Sequence, residues 1–447
     1  MDKYDLLIIG AGTSGAYLAR RIAESGYSVL VIESMPKDKI GTKYDIFHIE
    51  QSEFERLGIP RPVEGDEAWA FEFEKNYNSD PLCLYPKLQT NHVVGLHLHE
   101  YTVLMNELAE KAGARILYEA KFKSLLFDKA GRVSGIKYTY KGEEIEAAAR
   151  ITADCSGIEA AARTALPDDY GIENRPLTAE DMFYVILRYV KIKNEADYLD
   201  GSTFWASYKS WIAPCADPHG AIIGLGACHS FEYAEKVYEE MIKTVPLPEH
   251  EVIRTERGRT PFMRNFHSLV GDNFIVSGDA GCLTKSINGE GVTSSIYELK
   301  IAAAAIDRAF KTGDTSRNSL WRINTEYNRA QGAEFAMLRA LLIGVINAAT
   351  PDEFQYAFSS GMISDEILNA VNGSPMPAKA ILNTGRAFIS GIAKKNISKS
   401  TLKAAARALK NAAEIFIHYR NYPETPDGFE KWCEKADKIY DRIGKIK

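Results

Sequence analysis

Near the start of the chain four apolar residues, Leu6-Leu7-Ile8-Ile9, run directly into the turn Gly10-Ala11-Gly12-Thr13-Ser14-Gly15. An unbroken apolar tetrad bounded by turn residues reads as a strand buried on both faces of a parallel sheet. From Ser14 to Ser25 the period lengthens: Tyr17, Leu18, Ile22 and Ala23 share one side of a helix that Gly26 ends. Tyr27 to Ile32 is a second strand, closed by Glu33. A helix over Tyr101 to Ala112 precedes short strands at Arg115–Tyr118, Ser124–Phe127 and Val133–Tyr140. Asp128-Lys129-Ala130-Gly131 is the turn between the last two. Another apolar strand ends at Ala153-Asp154, and Phe183 to Val190 alternates as a half-buried strand does. Beyond residue 330 the pattern is helical, with breaks at Thr350-Pro351, Gly373-Ser374-Pro375 and Tyr422-Pro423.

Length adds that 447 residues suit two or three domains. At 45% hydrophobic and 26% charged, the composition is that of a soluble globular chain and excludes extended disorder. The net charge of −6 gives no electrostatic footprint for nucleic acid. Six scattered cysteines, with no C-x-x-C pair and no histidine cluster at zinc spacing, read as reduced thiols without a metal. The N-terminus lacks the pattern of a signal peptide and no run of about 18 apolar residues occurs, so a cytoplasmic location is expected. One segment qualifies that: Lys394 to Lys410 is basic and helical, the pattern of a peripheral membrane contact.

Strand, glycine turn, helix, strand and terminal acid within about 30 residues is the context that makes G-x-G-x-x-G informative. Gly10 allows the tight turn, Gly12 lets the backbone approach a pyrophosphate, and Gly15 lets the helix pack on the strand. The helix N-terminus favours phosphate. Glu33 stands where a carboxylate accepts from an adenosine ribose, which favours FAD or NAD over NADP. Ala11, Thr13 and Ser14 belong to the same cradle, and Ser34, Lys43 and Phe122 complete the expected cofactor shell.

Two further motifs decide for FAD. One is Ala153-Asp154-Cys155-Ser156-Gly157; the other is Asn273 to Gly281, with Gly278-Asp279, followed by Gly289-Glu290-Gly291-Val292 and an Ala-rich helix. In this order they resemble FAD-dependent oxidoreductases of the p-hydroxybenzoate hydroxylase type. The resemblance covers about residues 1–330 and implies that Asp279 holds a ribityl hydroxyl. It implies that Gly289, Gly291 and Val292 face the pyrimidine edge of the flavin, and that Asp154 and Gly157 form the intermediate motif. The implied fold is α/β: a Rossmann-like FAD-binding domain (1–60, 93–165, 265–330), an antiparallel sheet substrate domain (61–92, 166–264) and a helical C-terminal region (331–447).

Within that superfamily, Tyr208-Lys209-Ser210-Trp211-Ile212-Ala213-Pro214 and the later Gly224-Leu225-Gly226 resemble the geranylgeranyl reductase signature. Tyr208 and Trp211 are separated by two residues where that signature has one between them, and Ala213 replaces Phe. No Cys follows the Glu33 strand, and Leu96-His97-Leu98-His99 stands where many relatives carry an Arg. The resemblance implies reduction of C=C bonds in an isoprenoid chain by hydride from reduced flavin N5. Tyr208, Trp211 and Pro214 are then expected at a hydrophobic or lipid substrate, with Cys282 and Tyr208 as candidate proton donors. Only one nucleotide fold is present, so NAD(P)H would visit transiently, or a ferredoxin-like redox partner would supply electrons. A monooxygenase or halogenase acting on an aromatic, and an electron-transfer flavoprotein, are the alternative readings. Arg254, Arg257, Arg259 and Arg264 read as a solvated basic surface, with an anionic head group as the alternative. His97 and His99 read as structural.

Overall fold

The computed structural model describes residues 2–194, 202–206, 208–371 and 377–446; for Tyr208 only the backbone is described. In chain order the strands are β1 (Asp2–Ile9), β2 (Val29–Ile32), β3 (Ile46–Glu50), β4 (Trp69–Ser79), β5 (Lys87–His97), β6 (Arg115–Leu117), β7 (Lys121–Phe127) and β8 (Val133–Tyr140). They continue with β9 (Glu143–Asp154), β10 (Met182–Ile192), β11 (Ser202–Ala206), β12 (Tyr208–Pro214), β13 (Gly220–Ala227), β14 (His250–Pro261), β15 (Val270–Gly271) and β16 (Phe274–Val276).

Two eight-stranded sheets result. The first runs β15-β16-β9-β1-β2-β6, with β7 and β8 added through β9. Its centre is parallel, and Leu6, Leu7, Ile8, Leu30 and Val31 are fully buried there, as an all-apolar strand requires. The helices Thr13–Glu24, Leu98–Lys111 and Val292–Thr312 cover it. The register matters for function. Ile9 lies beside Asp154, and Asp154 beside Val276, so β1, β9 and β16 end level at one carboxyl edge. The turns that follow all three strands therefore open into one crevice, the ligand position of an open α/β sheet.

The second sheet, β14-β10-β13-β12-β11-β4-β5-β3, is antiparallel except at β11–β4. It takes in β3, so residues 46–50 belong by pairing to this sheet rather than to the nucleotide-binding body. One face packs on the helix Phe231–Thr244; the other looks toward the crevice. The C-terminal helices Ala333–Ile346, Lys399–Arg420 and Phe429–Ile443 close the structure around Tyr419, Tyr422 and Trp432.

A carboxyl group sits in the heart of the first layer. Glu298, on the helix Val292–Thr312, is fully buried; its Oε2 accepts from Ser277 Oγ and its Oε1 has no partner. Burial pushes its pKa up to about 8, only partly offset by the Ser277 hydroxyl. A carboxyl that stays protonated in the fold while it ionises in the unfolded chain makes stability fall as pH rises, from about pH 4.5 until the folded group itself ionises near 8. Glu298→Gln should therefore match the wild type near pH 4.5 and exceed it at pH 8 by on the order of 3 kcal/mol. Urea unfolding at the two pH values checks this; equal midpoint differences at both would overturn it.

Candidate flavin and substrate site

The crevice is shaped by backbone approaches that only glycine permits. Gly10 has φ +102°, and a Cβ there would meet the Cys155 carbonyl oxygen at 2.4 Å. A Cβ at Gly15 would meet the Gly10 carbonyl oxygen at 2.0 Å, so the helix is pressed onto the turn. Gly12 differs: a Cβ there meets nothing within 4 Å, which leaves an open hollow before the helix Thr13–Glu24. No side chain caps that helix, so its first amides face the hollow unspent. Glu33 braces the rim, accepting from Ala11 N (2.9 Å) and Met35 N (2.8 Å), with Ser34 Oγ 3.2 Å away. Phe122 lies half-buried on β7, packed against the nucleotide-side core.

The third motif meets the first directly. Gly278, at φ +67°, faces Ser14 Oγ. Asp279 Oδ1 accepts from Thr284 Oγ1 at 2.8 Å, whereas its Oδ2 makes no hydrogen bond among the described residues. Burial raises the Asp279 pKa, with Thr284 and then Lys43 opposing. Gly291 caps the helix Val292–Thr312 without a side-chain cap, and Gly289 at φ +75° has open space where a Cβ would stand. Open glycines at Gly12 and Gly289, two uncapped helix N-termini and a half-satisfied, partly buried carboxyl on one crevice fit FAD: the first helix would meet its phosphates, Asp279 a ribityl hydroxyl, and the second helix the anionic flavin edge.

Asp154 takes another part. It is fully buried, and its oxygens accept from Ser156 N, Ser156 Oγ, Ala162 N and Arg163 N. It has no oxygen left for a ligand; it shapes the loop that carries Gly157 at φ +73°.

Beside this crevice lies a partly open apolar pocket, whose space of about 470 Å3 includes solvent at its mouth. Phe183, Val185, Trp211 and Gly226 of the second sheet form one wall, Ser286 to Gly289 of the flavin loop the second, and Leu342 and Ile346 the third. The sheet wall is made by glycines. Gly224 gives Trp211 room, since a Cβ there would sit 2.2 Å from the indole. Gly226 is open but for Val185 at 3.9 Å, and so is the cavity floor.

Of the expected substrate residues, Trp211 lines the cavity and Pro214 does not; the Tyr208 side chain is outside the described residues. Cys282 is buried with Met263 and Phe266, away from the cavity lining, and burial pushes its thiol far up. The arginine surface is also more committed than the sequence suggests: Arg254 pairs with Asp45, Arg257 with Glu235, Arg259 with Glu159 and Arg264 with Glu173. His97 Nδ1 lies 2.7 Å from Asp45 and His99 Nδ1 2.6 Å from the Ile40 carbonyl, both structural contacts.

Sequence reasoning missed Tyr44. Its ring lies on Gly258, where a Cβ would stand 1.7 Å from the hydroxyl. Gly258 pairs with Val185, so Tyr44 rests on the sheet face that walls the cavity. The hydroxyl is buried and has no hydrogen-bond partner among the described residues. Burial raises its pKa, and the charges of Asp279 and Glu256 raise it further, so it stays protonated. Lys43 next to it is within electrostatic reach of Asp279, Glu159 and Arg259.

Residues 3–206 match the family model described as an FAD binding domain. Over 99% of its length the chain is 25% identical to the digeranylgeranylglycerophospholipid reductase of Sulfolobus acidocaldarius, covering 98% of that protein. A reductase of the same name from Methanocella arvoryzae is 26% identical over 74% of the chain and 84% of its own length. The geranylgeranyl bacteriochlorophyll reductase-like protein of Thermoplasma acidophilum superposes with a TM-score of 0.68 at 18% identity, over 93% of this chain and 100% of that one. The chain is thus similar along nearly its whole length to FAD-dependent reductases of the geranylgeranyl type and shares their fold. A flavin-dependent brominase shares the fold, with a TM-score of 0.62 at 17% identity over 88% of this chain and 100% of its own.

For this oxidoreductase the glycines separate cofactor binding from folding. Gly12→Ala should leave the melting temperature of the flavin-free protein unchanged, because the Cβ meets nothing, and weaken FAD binding at least about tenfold. Gly15→Ala should cost the fold about 1–3 kcal/mol, because its Cβ overlaps the Gly10 carbonyl. Flavin titration and thermal melts of both variants are the check; a Gly12→Ala protein that melts early would refute the assignment of that hollow.

Proposed function

We propose that this oxidoreductase saturates C=C double bonds of an isoprenoid chain carried on a lipid. The observation that carries the reading is the apolar cavity bounded by the flavin loop Ser286–Gly289 on one side and by the sheet and Leu342 and Ile346 on the others. The names of the archaeal relatives support the same substrate class. When bound and reduced, FAD supplies a hydride from N5 to one carbon of the double bond. Phe183, Val185, Trp211, Leu342 and Ile346 hold the chain and keep water out. No titratable side chain lines the cavity, so the proton for the other carbon comes from a neighbour.

We assign that part to Tyr44, which packs behind the lining on the same sheet face. Its hydroxyl carries a proton at neutral pH, spends it on no internal partner, and lies on the wall-forming sheet face beside Val185. It gives the proton to the second carbon, and the phenolate is reprotonated from solvent. The electron pair used in each cycle is restored by NAD(P)H as a visiting reductant or by a ferredoxin-like protein.

The decisive experiment is anaerobic. The purified protein's flavin is reduced chemically, a geranylgeranyl lipid is added, and flavin absorbance and lipid mass are followed. Reoxidation with a gain of one hydrogen pair per double bond is expected. Reoxidation only on admitting O2 would transfer the protein to an oxygen-using chemistry. Tyr44→Phe should slow turnover by about a hundredfold or more while flavin content holds, and wild-type speed in that variant would make water the acid. Gly226→Leu should fill the cavity floor, lowering kcat/KM for the lipid at least about tenfold with FAD binding intact.

A further inference from the structure

Charge is distributed very unevenly along the chain. Residues 367–413 hold eight basic residues (Lys379, Arg386, Lys394, Lys395, Lys399, Lys403, Arg407 and Lys410) and no acidic one, in a chain of net charge −6. All eight are exposed, and none is in an ion pair among the described residues. Of the acids next to the stretch, Asp365 accepts from Leu88 N, and Glu366 lies within electrostatic reach of Lys379. Glu353 accepts from Ser398 N and Thr401 Oγ1, and Glu414 pairs with Arg442. The four cations of Lys399–Arg420 before Glu414 are therefore left to solvent.

Large apolar side chains stand among them. Leu382 is 61% exposed, Ile389 68% and Leu409 63%. Leu382, Arg386 and Ile389 follow at helical spacing on one side of Ala378–Ala393. Leu409 sits between Arg407 and Lys410 on Lys399–Arg420. Interleaved cations and exposed aliphatics are the composition of a helix that lies in a lipid–water interface, the cations at the phosphates and the aliphatics below them. A protein partner would demand shape complementarity and paired acids; an anionic bilayer demands only this mixture of charge and apolar surface.

The face is also connected to the cavity. Helix Lys399–Arg420 packs on Ala333–Ile346 so closely that a Cβ at Gly344 would meet the Ala408 methyl at 2.3 Å. Gly344 lies between the cavity-lining Leu342 and Ile346, and Val345 beside them is exposed. One helix thus has the cavity on one side and the basic helix on another. No single helix among the described residues is long and apolar enough to cross a membrane.

We propose that the face built by Ala378–Ala393 and Lys399–Arg420 docks on an anionic lipid bilayer and brings the cavity to its lipid. The delivery of substrate rests on the function proposed above; the docking itself does not.

The test is sedimentation of the flavin-loaded protein with vesicles free of isoprenoid lipid, either pure phosphatidylcholine or an equimolar mixture with phosphatidylglycerol. Binding is expected to the anionic vesicles alone, and to weaken at least about tenfold from low to high salt. The variant with Lys399, Lys403, Arg407 and Lys410 all changed to Gln should bind on the order of a hundredfold more weakly. Leu382→Ser with Ile389→Ser should weaken binding about tenfold and keep the salt dependence. Both variants should reduce a detergent-dispersed isoprenoid at wild-type rate, which separates a failure of docking from a failure of the catalytic reading. Equal binding to neutral vesicles, no binding to either kind, or wild-type affinity in the four-cation variant would overturn the proposal.

Discussion

The crevice depends on a buried charge that forms no ion pair among the described residues. Arg163 is fully buried, and its guanidinium is held by backbone carbonyls: Ala280 O at 2.9 Å, Glu173 O at 2.6 Å and Arg175 O at 2.8 Å. Its planar face lies 4.2 Å from the Phe266 ring centroid. Its own backbone N–H donates to Asp154. Burying a cation costs several kcal/mol unless every donor finds an acceptor, so the carbonyls around it are constrained as tightly as the arginine. One of those carbonyls belongs to the turn that carries Asp279. The second and third flavin motifs, more than a hundred residues apart in sequence, are thereby held in one geometry. Register adds the first motif, because Ile9, Asp154 and Val276 are neighbours across three parallel strands.

The same economy recurs in the second sheet, by subtraction rather than by charge. Gly224, Gly226 and Gly258 lie on one face, opposite Leu187 and Val185. Each missing side chain has a different consequence. At Gly224 the room is taken by Trp211, at Gly258 by Tyr44, and at Gly226 it stays open. A sheet face of three ordinary residues would be a flat packed wall. With glycines it becomes a floor with an indole on one side and a phenol on the other, and the flavin loop and Leu342 complete the enclosure.

How much of this the sequence discloses depends on distance along the chain. The turn after β1 is legible because strand, glycines, helix and Glu33 follow within one short unit, each with its own steric reason. Asp154 is legible as a motif residue and misleading as a ligand residue, since only the folded loop shows its four acceptors taken by its neighbours. Tyr44 gives no local signal at all. It matters because β3 joins the second sheet and brings residues 44–46 across to β14, a contact spanning more than 200 residues. Leu342 and Ile346 are invisible for the same reason: helical spacing shows an apolar face, and only packing shows what the face encloses. Cys282 illustrates the converse case. Proximity in sequence to a flavin motif suggests chemistry, whereas the left-handed backbone at φ +56° turns the thiol into the Met263 and Phe266 cluster.

The helical tail is where these arguments meet. A flavin cradle and a glycine-floored sheet would still leave the cavity open on the side that Ala333–Ile346 covers. That helix is apolar nearly all round, the composition of an element enclosed on several sides. It can be enclosed only if another element covers its outer surface, which is the part played by Lys399–Arg420 through Ala408. A covering helix is amphipathic by necessity: its inner side, Ala412, Ile415 and Tyr419, is dictated by packing, and its outer side is not. An outer side required only to stay soluble would mix its charges, as the rest of this chain does. Uninterrupted cations set among exposed aliphatics therefore reflect a requirement beyond folding, imposed at the element that adjoins the apolar cavity.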